Sequence, residues 1–501
     1  MFVPSLMPPR LPEPPHTTIV NTEHEPARDM VDGIARVFLA DALILPTGFL
    51  TFAFLTRRLG PDGFGLFAIV SAIIVWIEAS INTIFHRATL KLVADTKDWK
   101  RVGATIVRLH LCVSLVAMIL LLLLSPSIGK LFHEETLVSY LWLFSLDIPL
   151  AGLTDSHRNL LVGIGGFRQR ALSSAAHWIG RLLLIVALVE LGLSVNGAIL
   201  GNIAALLIEL VVIRVYIRPP LLTGIRVNLP GFWSYVWPLV LFAISVALFT
   251  RLDLFALKIL GGTANEAGIY SAAQGLAVVP GIFAASFSPL LLSTLSRLIT
   301  AGDVSQAKTI SLDAMRLVIV LLPFAGMTAG MSYEIVDFVF GPLFRPAAPV
   351  FSLLIFGALG MVMISVVTAI LTAAGKPKWV LVQGAPLLPL AFVGHILLIP
   401  RLGVIGASTV TTFCATLGAM SSVLAVYRVW KIFPPLPTVA RACLVYVIAF
   451  VLASLWPASG WFFFKIFAIS ILICTSFVAL REFSPQEIAL LQSLIHVKPS
   501  I

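Results

Sequence analysis

The sequence predicts an all-α, polytopic membrane protein of about fourteen transmembrane helices, and two observations carry that expectation. Hydrophobic residues make up 59% of the 501-residue chain and charged residues only 12%, with a mean hydropathy of +1.01. Water-soluble domains do not carry that balance. Apolar stretches of about 20 residues, the length a helix needs to cross the hydrocarbon core, recur from residue 36 to residue 480.

In chain order, residues 1–32 are rich in proline and polar side chains and lack the apolar core of a signal peptide, so a disordered cytosolic tail is expected. Spans are then expected near 36–57, 63–86, 103–124, 137–160, 169–192 and 195–217, inside a segment 33–217. Residues 218–232 read as a cytoplasmic linker. A second segment, 233–430, holds spans near 233–257, 266–296, 310–333, 347–373, 379–399 and 404–428. Residues 431–480 add two more, near 438–456 and 461–480, and 481–501 is expected to be a cytosolic tail. The stretch 266–296 exceeds one crossing, so Pro280 or Pro289 is expected to kink or tilt it. Most of the 34 Lys and Arg fall in the connections on the side of the N-terminus, which the positive-inside bias assigns to the cytoplasm, together with both termini.

The same pass excludes several function classes. The net charge of +10 is spread over short loops and forms no basic patch, so it reads as a topology signal and not as a nucleic-acid surface. Cys112, Cys414, Cys443 and Cys474 lie inside apolar runs with no CxxC pair, so they read as packing residues and no metal or cofactor is expected. No phosphate-binding GxxxxGK[ST] loop and no HExxH motif occurs. The outer connections are short, the longest near 125–136 and 333–346, which leaves little room for the external chemistry of a polymerase. The chain is not expected to be an enzyme.

An internal repeat is visible between FAFLTRRLGPDGFGLFAIVSAI near the N-terminus and the stretch at 251–297. Leu59-Gly60 aligns with Leu260-Gly261, and Gly65-Leu66-Phe67 with Gly268-Ile269-Tyr270, with two extra residues in the second turn. Four segments carry a family resemblance: RLGPDGFGLF at 58–67, the run from Arg251 and Asp253 to GIYSAA at 268–273, LTAAGKP at 371–377, and RLGVIGA at 401–407. They resemble the oligosaccharide and polysaccharide flippases of the multidrug/oligosaccharidyl-lipid/polysaccharide exporter superfamily, over roughly residues 30 to 430. The resemblance implies two six-helix bundles around a central cavity that rock in alternating access, with the last two helices outside the repeat.

Charges inside apolar spans are costly and become functional candidates by default. Here they are Asp41, Glu78, Asp147, Arg181, Glu190, Glu209, Arg251 and Asp253, with His177 and His395. His177 and Arg181 are four apart and share a helix face, either presenting positive charge to an anionic phosphate or neutralised by a carboxylate such as Asp147. Arg251, supported by the resemblance, is a further candidate cavity cation. Arg57 is expected at the outer mouth and Arg87 at the inner mouth, each with an ordinary interfacial reading as the alternative. Asp41, Glu78 and Asp147 are candidates for ion coupling or for structural pairing with arginine.

As an expectation, the resemblance implies a flippase moving polyprenyl-diphosphate-linked oligosaccharide from the cytoplasmic to the outer leaflet of a bacterial inner membrane. The substrate would be an O-antigen, capsule or exopolysaccharide repeat unit. Membrane lipids are expected partners, and a polysaccharide polymerase and chain-length proteins are candidate ones. A cation-coupled multidrug antiporter of the same superfamily is the alternative, and a polysaccharide polymerase or ligase is the alternative from a different class.

Overall fold

The computed structural model describes residues 39–94, 99–218, 251–456 and 461–482, and among them the regular structure is entirely helical. The expected tail at 1–32 lies outside the described residues, as do the linker at 218–232 apart from Arg218 and nearly all of 481–501. In order the helices are α1 (Ile44–Ala94), α2 (Trp99–Leu131), α3 (Thr136–Phe144), α4 (Asp147–Gly163), α5 (Phe167–Leu188) and α6 (Ser194–Tyr216). After the undescribed interval come α7 (Leu252–Ile259), α8 (Ala264–Ala277), α9 (Val279–Thr300), α10 (Val304–Val320), α11 (Leu322–Gly330) and α12 (Ser332–Phe340). The last are α13 (Ala347–Ala373), α14 (Pro377–Gly384), α15 (Leu387–Trp430), α16 (Leu436–Leu455) and α17 (Phe462–Ala479).

Among the described residues, 10 helical runs are long and apolar enough to cross a membrane. The runs Leu39–Thr83, Phe167–Tyr216 and Lys378–Trp430 each cover all or most of two expected spans. The expected span at 233–257 has only its last residues described, so fourteen crossings stays an expectation.

Backbone geometry explains the doubled runs. A straight 51-residue helix like α1 would reach more than twice the roughly 30 Å hydrocarbon thickness at 1.5 Å per residue. The helix is broken at Gly60, whose φ of 65° and ψ of 178° no side-chain-bearing residue holds comfortably. Gly403 breaks α15 in the same way, at φ 53°. Of the two prolines expected to bend 266–296, Pro280 marks the break, at the start of α9 where its missing N–H is harmless, while Pro289 lies within that helix. The helix after the Gly261 turn opens with a capping box: Thr263 accepts from the Glu266 backbone N–H, and the Glu266 carboxylate accepts from the Thr263 N–H at 2.9 Å.

Helices α1 to α6 pack on one another, with α5 against α6 and α4 against α1 and α2. In the second half, α13 packs against α9 and α15, and α16 against α11. The two sets meet chiefly along α1 and α8. One apolar core runs through both, from Leu55 to Val426. A second, smaller one joins α11 to α16 and α17, around Met331, Ala449 and Ile473.

Candidate functional site

Where α1 and α8 cross, the repeat seen in the sequence becomes a pseudo-twofold contact. A Cβ on Gly65 would lie 1.9 Å from the Ala264 carbonyl oxygen, and one on Gly268 would lie 1.9 Å from the Pro61 carbonyl oxygen. Pro61 and Ala264 are themselves equivalent positions of the repeat, so the backbones touch reciprocally and only glycine fits either position. Asp62 and Asn265, the next equivalent pair, hydrogen-bond across the axis, the Asn265 amide donating at 3.0 Å.

Two further links tie the halves together at this end. Arg57 donates from Nε to the Val339 carbonyl at 2.8 Å and also to the Phe338 carbonyl. Lys258, its counterpart in the repeat, pairs with Glu134 at 3.3 Å and is 2% exposed. Arg57 thus ties its own half to the end of α12, and Lys258 reaches back to the turn before α3. Arg58 is paired with Glu190 on the same half.

Beside this clasp lies a cavity of about 600 Å³. Its walls include four equivalent pairs of the repeat: Ala68 with Ser271, Ser71 with Gln274, Ala72 with Gly275 and Val75 with Val278. The cavity is therefore built on the pseudo-twofold axis from both halves. Among the described residues lining it, the charged ones are Arg181 and Arg251. Thr51, Ser71, Ser271, Gln274 and Thr411 add neutral polar groups to an otherwise apolar wall.

Arg251 is held by a short relay. Its guanidinium donates to Gln274 Oε1 at 3.3 Å, and the Gln274 amide donates to Asp253 Oδ2 at 3.1 Å. The Tyr270 hydroxyl donates to the same oxygen at 2.6 Å, while Asp253 Oδ1 accepts from the Leu254 N–H. Asp253 thus has a structural place, as a buried acceptor fixing α7 to α8. Arg181 is held more loosely, with its guanidinium 5.7 Å from the Trp178 ring centroid and its Nε buried without a hydrogen-bond partner.

The other sequence candidates lie elsewhere. Arg57 is spent on the carbonyls at the end of α12. His177 is buried with Nδ1 3.1 Å from Glu209, because α5 turns that residue toward α6, and it is not among the cavity-lining residues. Glu209 also accepts from Arg158 on α4 at 2.7 Å. Asp41 accepts from Ser174 at 2.9 Å and pairs with Arg170 at 3.4 Å. The side chain of Arg87 lies outside the described residues. Glu78 Oε1 on α1 is buried without a hydrogen-bond partner, and Asn202 on α6 donates to both oxygens of Asp147 on α4 at 3.1 Å. Sequence reasoning missed Arg158, at the end of the expected span 137–160, and Lys465, which is fully buried and bonded to Glu334 at 2.7 Å and to the Trp456 carbonyl. The signal for Arg158 was Glu209, a carboxylate in an apolar span that needs a cation.

Known folds resemble this one over most of its length. A lipid II flippase MurJ in an inward closed conformation aligns at a TM-score of 0.69 and 15% identity, covering 89% of this chain and 99% of that one. An inward-facing multidrug resistance MATE family transporter of the MOP superfamily aligns at 0.62 and 14% identity, covering 80% and 98%. A MOP superfamily transporter from Pyrococcus furiosus aligns at 0.56 and 14% identity, covering 81% and 96%. At these identities the likeness shows the fold alone, the multi-pass helical fold that those proteins share. No curated protein sequence matches the chain. Residues 54–349, more than half of the chain and including the α1–α8 crossing and both cavity arginines, match the family model described as polysaccharide biosynthesis protein. The chain belongs to that family.

Proposed function

We propose that this protein is a flippase that carries a polyprenyl-diphosphate-linked oligosaccharide from the cytoplasmic to the outer leaflet of a bacterial inner membrane. The substrate class on this reading is an O-antigen, capsule or exopolysaccharide repeat unit. One observation carries the reading: both charged side chains lining the axial cavity are arginines, one from each half. A diphosphate is the anionic part of such a substrate, and guanidinium groups bind phosphate oxygens bidentately. Two arginines repel a drug cation, and no carboxylate lines the cavity among the described residues to offset them.

The barrier to flipping is desolvation, since every unpaired polar group in hydrocarbon costs several kcal/mol. A cavity of about 600 Å³ falls within the range of small-ligand sites. It accommodates a diphosphate with its first sugars, while the lipid tail stays in the bilayer. On the sequence-based orientation the α1–α8 clasp closes the outer side of the cavity. The two halves, 33–217 and 233–430, act as the rocking bundles. An inside-negative potential favours outward movement of an anion by about 2.3 kcal/mol per charge per 100 mV.

The deciding experiment removes the gene and measures lipid-linked oligosaccharide on each leaflet. Accumulation on the cytoplasmic face with loss of surface polysaccharide is expected. Unchanged intermediates together with new sensitivity to cationic drugs would replace this reading with the antiporter.

A further inference from the structure

Helix α12 is only nine residues long and is set off at both ends, by Met331 before it and by Gly341 at φ 87° after it. A helix that short has little stability of its own, so its neighbours fix where it points. Its last turn leaves carbonyls without partners inside the helix. The Asp337 carbonyl accepts from the Gly341 N–H at 3.0 Å, and Arg57 of the first half takes the next two, Phe338 and Val339. Arg57 thus caps the negative end of α12 from across the interface between the halves. That bond lasts only while α12 holds the two carbonyls in place.

The last two helices hold α12 from another side. The Phe338 ring stacks on Phe462 of α17 with centroids 5.0 Å apart and meets Phe463 edge-on at 5.4 Å. Lys465, about one turn further along α17 and 0% exposed, donates to Glu334 in the first turn of α12 at 2.7 Å. It also donates to the Trp456 carbonyl at the end of α16 at 2.6 Å. Separating a buried ammonium from its carboxylate strands both charges, so this one side chain pins α12, α16 and α17 together. Phe338 is therefore gripped by α17 through its ring while Arg57 binds its carbonyl. An ion pair that only docked the last two helices would need no contact with the residue that Arg57 binds.

We propose that the α16–α17 pair, which lies outside the repeat, braces the outer closure. Lys465 is a positioning residue: through Glu334 and α12 it holds the Phe338 and Val339 carbonyls where Arg57 binds them. The brace acts on one side of the pseudo-twofold axis. Lys258, the counterpart of Arg57, binds the Glu134 side chain in the turn before α3, and α12 takes no part in that link. The inference rests on the rocking of the two halves and not on the identity of the cargo, so it is tested without substrate.

The test uses the full-length protein in intact cells, with Cys112, Cys414, Cys443 and Cys474 replaced by serine or alanine. Ser271→Cys is the reporter, since Ser271 lines the cavity and its buried Oγ has no hydrogen-bond partner to lose. A membrane-impermeant maleimide added outside labels this thiol only when the outer side opens. Lys465→Met and Arg57→Ala are each expected to speed labelling by about tenfold, the factor that one hydrogen bond to a charged group corresponds to. Together they should do no more than Arg57→Ala alone, whereas Lys465→Met should keep its full effect in a Lys258→Ala background. Should Lys465→Met fail to reach the membrane, Phe462→Ala reads the same brace from the ring side, with the same expectations. Labelling at the parent rate in the brace variant overturns the proposal, and so do effects of the brace variant and Arg57→Ala that multiply. If Arg57→Ala itself leaves the rate unchanged, the clasp does not close the outer side and the brace falls with it. Failure of the cargo reading, seen as unchanged lipid intermediates after gene deletion, alters none of these rates.

Discussion

Gln274 is the residue on which the cavity's second cation depends, since it accepts from Arg251 and donates to Asp253. Replacing it with leucine keeps the volume roughly constant and removes both bonds. Gln274→Leu is expected to cut transport several-fold while leaving the protein folded in the membrane, because it loses two bonds to charged groups, worth about 1.5–3 kcal/mol each, and Asp253 keeps its bond from Tyr270. Transport at the wild-type rate would show that Arg251 needs no positioning. Arg251→Ala and Arg181→Ala should each abolish most transport. Lysine should rescue poorly at either position if bidentate phosphate binding matters, because its ammonium offers no planar fork. Both arginines were legible in the sequence as cations in apolar spans. His177 carried the same signal and Arg57 that of an outer-mouth cation, and both went elsewhere, because one sequence says which side chains are costly to bury and not which helices turn them toward each other. Arg57 found carbonyls on α12 some 281 and 282 residues away, and no local pattern encodes a pairing at that separation.

At the scale of elements, the repeat that carries the α1–α8 crossing was legible in the sequence, although the crossing itself was not. The alignment that pairs Gly65 with Gly268 follows from two apolar hairpins with the same turn, and the structure brings those two residues into reciprocal contact. Glycine at both positions follows from backbone oxygens only 1.9 Å from any added Cβ. Gly65→Val should therefore cost at least about 1–3 kcal/mol through overpacking and push the helices apart, seen as a lower melting temperature and lost transport. A variant that transports normally would mean that this crossing is not needed in the cycle.

The end of α17 shows what sequence could not give. Glu482, 4% exposed, accepts from Arg316 on α10 at 2.7 Å and from Thr438 at 2.6 Å and Arg441 at 2.8 Å on α16. Burial alone would raise its pKa, but these hydrogen bonds and the Arg316 charge outweigh that and hold it below the ordinary glutamate value. A carboxylate with a depressed pKa stabilises the fold fully above its unfolded value and loses that contribution as pH falls through the folded one. The wild type should therefore lose thermal stability from about pH 4.5 downward. Glu482→Gln should be less stable at neutral pH and flatter across that acid window. An identical pH profile in the two proteins would remove Glu482 from the latch.

For the whole molecule, the clasp and the cavity are two parts of one axis. The halves are joined by the Gly65–Gly268 crossing, the Asp62–Asn265 bond, Arg57 on the α12 carbonyls and Lys258 on Glu134. Each link connects one half to the other, so opening the outer side must break all of them together, which makes the transition all-or-none and not gradual. Apart from the backbone contact they are hydrogen bonds and an ion pair that involve a charged group, worth about 1.5–3 kcal/mol apiece. The closed side is thus held by roughly 5–10 kcal/mol, within reach of the binding energy of a charged substrate. A covalent bond in place of one polar link should stop the cycle. Asp62→Cys with Asn265→Cys, in a background where Cys112, Cys414, Cys443 and Cys474 are replaced by serine or alanine, places two thiols at the crossing. Oxidation is expected to arrest transport, and reduction to restore it, with pyrophosphate binding to the cavity retained throughout. Undiminished transport by the oxidised, cross-linked protein would show that the halves do not part along α1 and α8, and the rocking motion would then have to run through a different pair of helices.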